Sequence, residues 1–382
     1  MVPTEKQLVD RHARSQGQEP RLYKYFRAMV KEGASDLHLK ANAVPHLRLR
    51  TRIMPVKGPA LAGADILSMV EEIISERQRA LFLENGSLDV AEELEGSDRF
   101  RLNVYRQRGE VSVAVRRVSR NIPDFEQLNL PPQVRAIADH TNGLVLVAGM
   151  TGAGKSTTIA SMLEYINQTR ACHIVTVEDP IEYLYVDKKA LVNQREIGID
   201  VPDFELALKY LMREDPDVVL VGEMRDRETF QAALHAAETG HLVFGTIHAS
   251  SAASTLGRIL DLFPPESREL TRQGLGFNLR AILCQRLLPC LKSGIERVPA
   301  VEILLINPSA RQLLLEGRDN ELPDVIRSSK HEGMQDLNQS LLQLIENDYV
   351  DPKVAYEASY NPDELKMMLK GISSSRAGLL GR

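Results

Sequence analysis

Two rhythms of apolar and polar positions divide the chain. Through residues 21–118, apolar and polar residues alternate over short runs: Asp36-Leu-His-Leu-Lys40, Pro45–Arg52, Arg99–Tyr105 and Val111–Val118, the last two joined by the turn at Arg108-Gly109. Period-two runs of this length predict half-buried strands, and helical spacing over Arg21–Lys31 and Ala64–Leu83 predicts two accompanying helices. From about residue 133 the strands become continuously apolar, at Leu144–Ala148, His173–Val177, Val218–Val221 and Leu242–Thr246. Helices are predicted between and after them at Ser156–Asn167, Asp203–Met212, Asp226–Glu238 and Ser250–Leu262. Apolar strands alternating with amphipathic helices imply a mainly parallel sheet covered on both faces. Residues from about 265 to 370 read as predominantly helical, with Leu-rich runs at Leu275–Leu288 and Leu337–Glu346.

These rhythms predict a tail at residues 1–20, a small α+β domain at 21–118, and an α/β domain with a helical C-terminal part at 133–370. Between the domains, the Pro-rich stretch Asn121-Ile-Pro-Asp…Asn129-Leu-Pro-Pro132 lacks periodicity and reads as part of a linker over 119–132. A flexible Ser/Gly-rich tail is expected at 371–382. At 382 residues, two or three domains are the expectation, and 43% hydrophobic with 26% charged residues fits a globular chain. A net charge of −5 gives no general signal for nucleic acid. Cys172, Cys284 and Cys290 form neither a disulfide framework nor a paired zinc motif, which suits reduced thiols in a cytoplasmic protein. No apolar run reaches the ~20 residues of a spanning helix, and Met1-Val-Pro-Thr-Glu-Lys lacks a signal-peptide core. Work at a membrane would therefore require recruitment by another protein, without direct insertion.

The chemistry begins at Gly149-Met-Thr-Gly-Ala-Gly154-Lys155-Ser156, which spells G-x-x-x-x-G-K-S between a predicted strand and a predicted helix. Backbone N–H groups of such a turn wrap a polyphosphate, the lysine adds positive charge, and the serine hydroxyl can ligate Mg²⁺. Gly149, Thr151, Gly152, Ala153, Gly154, Lys155, Ser156 and Thr157 are the expected ATP-binding set. The strand Asp217-Val-Val-Leu-Val-Gly-Glu223 ends in an acid, making Glu223 the candidate to orient the attacking water, with Gly222 leaving room for the γ-phosphate. Glu178, at the start of Glu178-Asp-Pro-Ile-Glu182, is the second acid, serving the Mg²⁺ or water shell; Asp179 and Glu182 are equally readable as capping groups. Ser156, Glu178 and Glu223 are thus the expected metal set. His248 ends the strand Leu242–Thr246 on the phosphate side and is read as a γ-phosphate sensor, whereas His241, at the other end, is either a contact or a satisfied histidine. Six arginines, Arg99, Arg101, Arg106, Arg108, Arg116 and Arg117, crowd the last two strands of the small domain, and alternation alone selects none of them.

Together these motifs resemble the type IV pilus retraction ATPases, the PilT/PilU family of the secretion ATPase superfamily. The resemblance runs from about residue 22 to 370. It rests on Gly33-Ala-Ser-Asp-Leu-His-Leu39, Arg99-Phe-Arg-Leu-Asn103, Gly152–Thr158, Val177-Glu-Asp-Pro-Ile-Glu182, Val192-Asn-Gln-Arg-Glu196, Glu214–Asp217, Gly222–Asp226 and Ala237–His248. It implies a RecA-like P-loop ATPase domain with a smaller N-terminal α+β (PAS-like) domain, assembled as a homo-hexamer. It also implies that an arginine pair fifteen residues apart, Arg101 and Arg116, clamps the nucleotide, that Glu223 is the catalytic glutamate and Glu178 the acidic-box residue, and that His241 and His248 form the histidine box. The implied partners are an inner-membrane pilus platform protein and a paralogous retraction ATPase, with no nucleic acid, and the implied location is peripheral to the inner membrane at the pilus base. The family's motif of the type A-I-R-x-L-I-R-E-G is kept loosely at Ala310–Gly317, and Met150 replaces a common proline in the phosphate loop. With two cysteines instead of a four-cysteine module after the nucleotide site, the chain is closer to the retraction branch than to assembly ATPases. Tyr360–Lys370 resembles a PilU-type extension, while Glu223-Met-Arg-Asp226 is closer to PilT. An accessory, ATP-binding subunit is the alternative role; the absence of N-K-x-D argues against guanine recognition.

Overall fold

The computed structural model describes residues 19–49, 52–94 and 96–371. Most of both expected tails, residues 1–18 and 372–382, lies outside the described residues. The chain divides into two compact units, one ending at Arg120 and the other beginning at Asn121.

The first unit is a six-stranded antiparallel sheet with helices at Tyr23–Glu32, Gly63–Glu71 and Glu76–Asn85. Its strands are β1 (Asp36–Lys40), β2 (His46–Leu49), β3 (Arg52–Pro55), β4 (Ser87–Glu93), β5 (Arg99–Gln107) and β6 (Glu110–Val118), in the order β3-β2-β1-β6-β5-β4. Alternation places Leu37, Leu39, Phe100, Leu102, Val104, Val113 and Val115 on one buried face. Phe26 stacks on Phe100 there, with ring centroids 4.3 Å apart. The expected single helix Ala64–Leu83 is two helices, because Ser75 and Gln78 form a capping box that starts a new one at Glu76. The expected strand Pro45–Arg52 is divided between β2 and β3, and β4 is an additional strand.

The second unit carries seven strands: β7 (Gly143–Ala148), β8 (His173–Glu178), β9 (Leu191–Glu196), β10 (Val218–Val221), β11 (Leu242–Ile247), β12 (Leu279–Pro289) and β13 (Arg297–Leu305). Their order is β13-β12-β7-β11-β10-β8-β9, parallel throughout except for the β12–β13 pair. Leu144, Leu146 and Ala148 of β7 enter a core shared with helices Arg227–Glu238 and Ala252–Asp261. Val145 and Val147 enter the opposite core, beneath Gln133–Ala138 and Lys155–Thr169. The sheet is therefore buried on both faces, as its continuous apolar runs require.

The expectation of a predominantly helical region after 265 is corrected by β12 and β13. Leu279, Ala281, Ile282, Leu283 and Cys284 are all buried, and a run buried on both faces lacks the alternation that separates strand from helix. Helices do follow from Pro308, and those at Leu337–Glu346, Pro352–Ala358 and Pro362–Leu369 build a further core with Leu288, Val298 and Ala300.

Candidate functional site

Parallel register converges the candidate groups. Ala148 of β7 pairs with Ile247 of β11, Gly245 with Val221 of β10, and Val221 with Val177 of β8. The residues ending these strands, or following them directly, are the Gly149 loop, His248, Gly222-Glu223 and Glu178. They gather at one sheet edge, where open α/β sheets bind ligands. A cavity of about 300 Å³ is lined there by Thr151, Gly152, Lys155, Ser156, Glu178 and Glu223, and further by Asp179, Glu182, Gly222 and His248.

The loop turns through three glycines with positive φ: 154° at Gly149, 78° at Gly152 and 86° at Gly154. A Cβ on Gly149 would stand 2.6 Å from the Gln285 carbonyl oxygen, so the first position also requires glycine for space. The helix then starts at Lys155. Its side chain is buried, with Nζ donating to the carbonyls of Gly149 (2.9 Å) and Met150 (3.3 Å). Burial lowers the Lys155 pKa, opposed by the charges of Glu223 and Glu182. A buried ammonium offered only carbonyls and distant carboxylates suits a polyanion.

Glu223 is held on two sides. Arg225 makes a bidentate pair with its carboxylate, both contacts at 2.5 Å, and His248 Nε2 lies 3.1 Å from Oε1. The Arg225 hydrogen bond leads the causes that lower the Glu223 pKa, so the group is ionised at neutral pH. Glu178 differs. It accepts from Thr176 Oγ1 (2.7 Å), Gln194 Nε2 (3.3 Å) and the Glu182 N–H (3.4 Å), yet burial pushes its pKa up to about 7. Two carboxyls in one cavity thus sit in opposite electrostatic environments.

Gly222 lines the cavity and also has a packing reason of its own. A Cβ there would come 3.1 Å from the Val177 carbonyl and 3.2 Å from Glu178 Cα, so glycine lets β8 and β10 end close together. Gly149, Ala153, Gly154 and Thr157 are not on the cavity wall; Gly154 and Thr157 border a second cavity of about 350 Å³ with Gln127, Leu128, Gly294 and Arg297. His241 is the clear departure. It directly precedes β11, and its carbonyl accepts from Gly143 at the start of β7, so it lies at the sheet edge opposite the phosphate loop. Its Nδ1 lies 2.9 Å from the Ala236 carbonyl oxygen, the satisfied-histidine alternative.

Arg101 and Arg116 belong to the first unit, where they face each other across β5 and β6. Arg116 pairs with Asp36 at 3.3 Å. Sequence reasoning gave no role to Arg225, Gln194, Gln285 or Tyr183, which meets Thr157 Oγ1 at 3.1 Å. Arg225 could have been found from its place two residues after Glu223, and Gln194 from the Val192–Glu196 motif; Tyr183 and Gln285 carry no chemical signature of their own.

A family model described as Type II/IV secretion system protein matches residues 14–318. The chain is 39% identical over 334 residues to the type IV pilus retraction ATPase PilT of Pseudomonas aeruginosa, covering 87% of this chain and 96% of that one. It is 38% identical over 358 residues to the type IV pilus ATPase PilU of the same organism, covering 93% and 92%. The chain belongs to the PilT/PilU family of pilus retraction ATPases. A crystal structure of the pilus retraction motor PilT with bound ADP superimposes with a TM-score of 0.84 at 44% identity, over 92% of this chain and 100% of that one. This retraction-family member is accordingly a nucleotide-binding ATPase with a P-loop α/β fold and an N-terminal α+β domain. Among its described residues no helix is long and apolar enough to cross a membrane.

Proposed function

We propose that this ATPase is a mechanical motor subunit: a homo-hexameric ring that hydrolyses ATP at the cavity between Lys155 and Glu223 and drives pilus retraction through an inner-membrane platform protein, from a cytoplasmic position peripheral to that membrane. The observation that carries the reading is the gathering of Lys155, Ser156, Glu178, Glu223 and His248 around one cavity. The described residues contain no group of three or more His, Cys, Asp or Glu able to hold a metal ion by themselves. That fits Mg²⁺, which keeps waters and takes phosphate oxygens alongside one or two protein ligands. Ser156, Glu178 and Glu223 are the groups that would hold it, and the ion would supply charge neutralisation on the phosphates.

The chain's own residues do the rest. The 149–156 backbone and Lys155 bind and orient the polyphosphate. Glu223, ionised and fixed by Arg225 and His248, orients a water for attack on the γ-phosphorus; the new P–O bond forms as the bond to the β–γ bridging oxygen breaks, leaving ADP and phosphate. Arg101 and Arg116 are proposed to neutralise charge on the phosphates. The second cavity beside Gly154 and Thr157 has room for the ribose and base. An accessory role beside a paralogous motor is the second reading, since the chain is as similar to PilU, at 38% identity, as to PilT, at 39%.

Phosphate release from ATP across a range of protein concentrations tests both. Turnover per subunit that rises with concentration supports the ring with composite sites, whereas ATP binding without turnover at any concentration supports the accessory role. In the same assay Lys155→Ala is expected to lose nucleotide binding, and Glu223→Gln to bind ATP with turnover reduced at least a hundredfold. Normal turnover by Glu223→Gln would remove it from the water-orienting role.

A further inference from the structure

Gln285 is a buried amide to which neither the motifs nor the mechanism above assigns a task. It stands on β12 one residue beyond Cys284, which pairs with Ala148, the last residue of β7. Register therefore sets Gln285 beside Gly149, where the chain leaves the sheet to form the phosphate loop. The residue is only 4% exposed. Nε2 donates to the Ala153 carbonyl at 2.7 Å, and Oε1 accepts from Thr158 Oγ1 at 2.8 Å. A Cβ on Gly154 would fall 2.7 Å from the same Nε2, and one on Gly149 would fall 2.6 Å from the Gln285 carbonyl oxygen. One residue thus lies close to both end glycines of the loop and holds the Ala153 carbonyl, which stands between them.

We infer that Gln285 is a positioning residue for nucleotide binding: by holding the Ala153 carbonyl toward β12, it turns the Gly154 N–H away from β12, toward the inside of the 149–156 loop. In a trans peptide the C=O and the following N–H point in opposite directions, so the group that fixes the carbonyl of Ala153 fixes the donor of Gly154. Without Gln285 that carbonyl would be buried and unpaired, and the peptide would gain by turning its oxygen towards the loop interior, where an anion must sit. Thr158 orients the amide so that its nitrogen, not its oxygen, meets Ala153. A donor that contacts the polyphosphate before and during reaction contributes uniform binding, so its loss appears in KM and not in kcat.

This inference rests on reading 149–156 as the phosphate loop, and the experiment separates the two. Gln285→Met keeps length and volume but removes both polar partners. Its KM for ATP and its Kd for ADP are expected to rise at least tenfold, with kcat at saturating ATP within about threefold of wild type. Where this variant fails to fold, Gln285→Asn carries the test, since it keeps an amide but is one methylene too short to bridge Ala153 and Thr158. Lys155→Ala is the reference for the loop itself. Lost ADP binding in Lys155→Ala with wild-type KM and Kd in a folded Gln285 variant would overturn the role of Gln285 alone. Wild-type ADP binding in Lys155→Ala would overturn the loop reading beneath it. A fall in kcat with unchanged KM would also overturn the positioning role, because it would mean general loosening of the core.

Discussion

At the scale of single residues, the protein separates its carboxyls by environment. Glu223 is charged because Arg225 and His248 hold it, whereas Glu178 and Glu302 are buried with pKa values pushed up to about 7. Glu302 lies away from the cavity and accepts from the Ala252 N–H at 2.7 Å, at the start of the helix that follows His248. Desolvation is the main cause of its shift, with Asp336 adding to it and Arg286 opposing it. A carboxyl whose pKa is raised on folding contributes stability that is fully present below about pH 4.5 and lost as pH rises through about 7. Glu302→Gln cannot ionise, so its thermal midpoint relative to wild type is expected to be higher at pH 8 than at pH 5 by a few degrees. Equal differences at the two pH values would show that the carboxyl titrates alike in the folded and unfolded chains. This kind of information is not legible in the sequence: Glu302 carries no motif, and only tertiary burial makes it unusual. Glu223 and Glu178 are legible because an acid ending an apolar strand has few structural reasons to be there.

At the scale of elements, strand ends and helix starts build the site. Asp226, three residues after Glu223, caps the helix Arg227–Glu238, its carboxylate accepting from the Thr229 N–H at 2.8 Å. That cap fixes one end of the short segment carrying Glu223 and Arg225. Asp226→Ala is expected to lower the stability of the second unit by about 1 kcal/mol, read from urea unfolding, and to reduce turnover by freeing the segment. An unchanged urea midpoint would mean the cap does not hold it. The parallel strands and their helices are readable from the chain because apolar runs of strand length alternate with helical periodicity. The β12–β13 hairpin is not, since Leu279–Cys284 is buried on both faces and reads equally as a helix interior. Losing β12 from the reading also hides Gln285, which acts on Ala153 from 132 residues away. His241 departs from expectation for a related reason: a strand has two ends, and only register tells which of them meets the loop.

At the scale of the molecule, the two units carry different parts of the proposed chemistry. The P-loop, Glu223 and His248 belong to the second unit, and Arg101 and Arg116 to the first. Arg116 is 70% exposed at its side chain, and its pairing with Asp36 contributes little to folding. Arg116→Ala is therefore expected to keep the wild-type thermal midpoint within about 1–2 °C while turnover per subunit falls at least tenfold, consistent with the size of arginine effects on phosphoryl transfer. Arg101→Ala is expected to show the same loss of turnover. Full activity in both variants would take the arginine clamp out of the mechanism and leave the P-loop unit catalytically self-sufficient.

The strand order has a consequence for how the protein is made. β7, which delivers the chain to the phosphate loop, lies between β11 and β12, and both come later in the chain. As the polypeptide leaves the ribosome, every letter of the nucleotide motif is outside long before the strands that flank it have been synthesised. A nascent chain ending before β12 would carry the loop on a strand with one side open and no amide beside Ala153. The first chemical signature in the sequence is thus among the last features to be completed in space, and the wait is set by translation rather than by the folding of the loop itself.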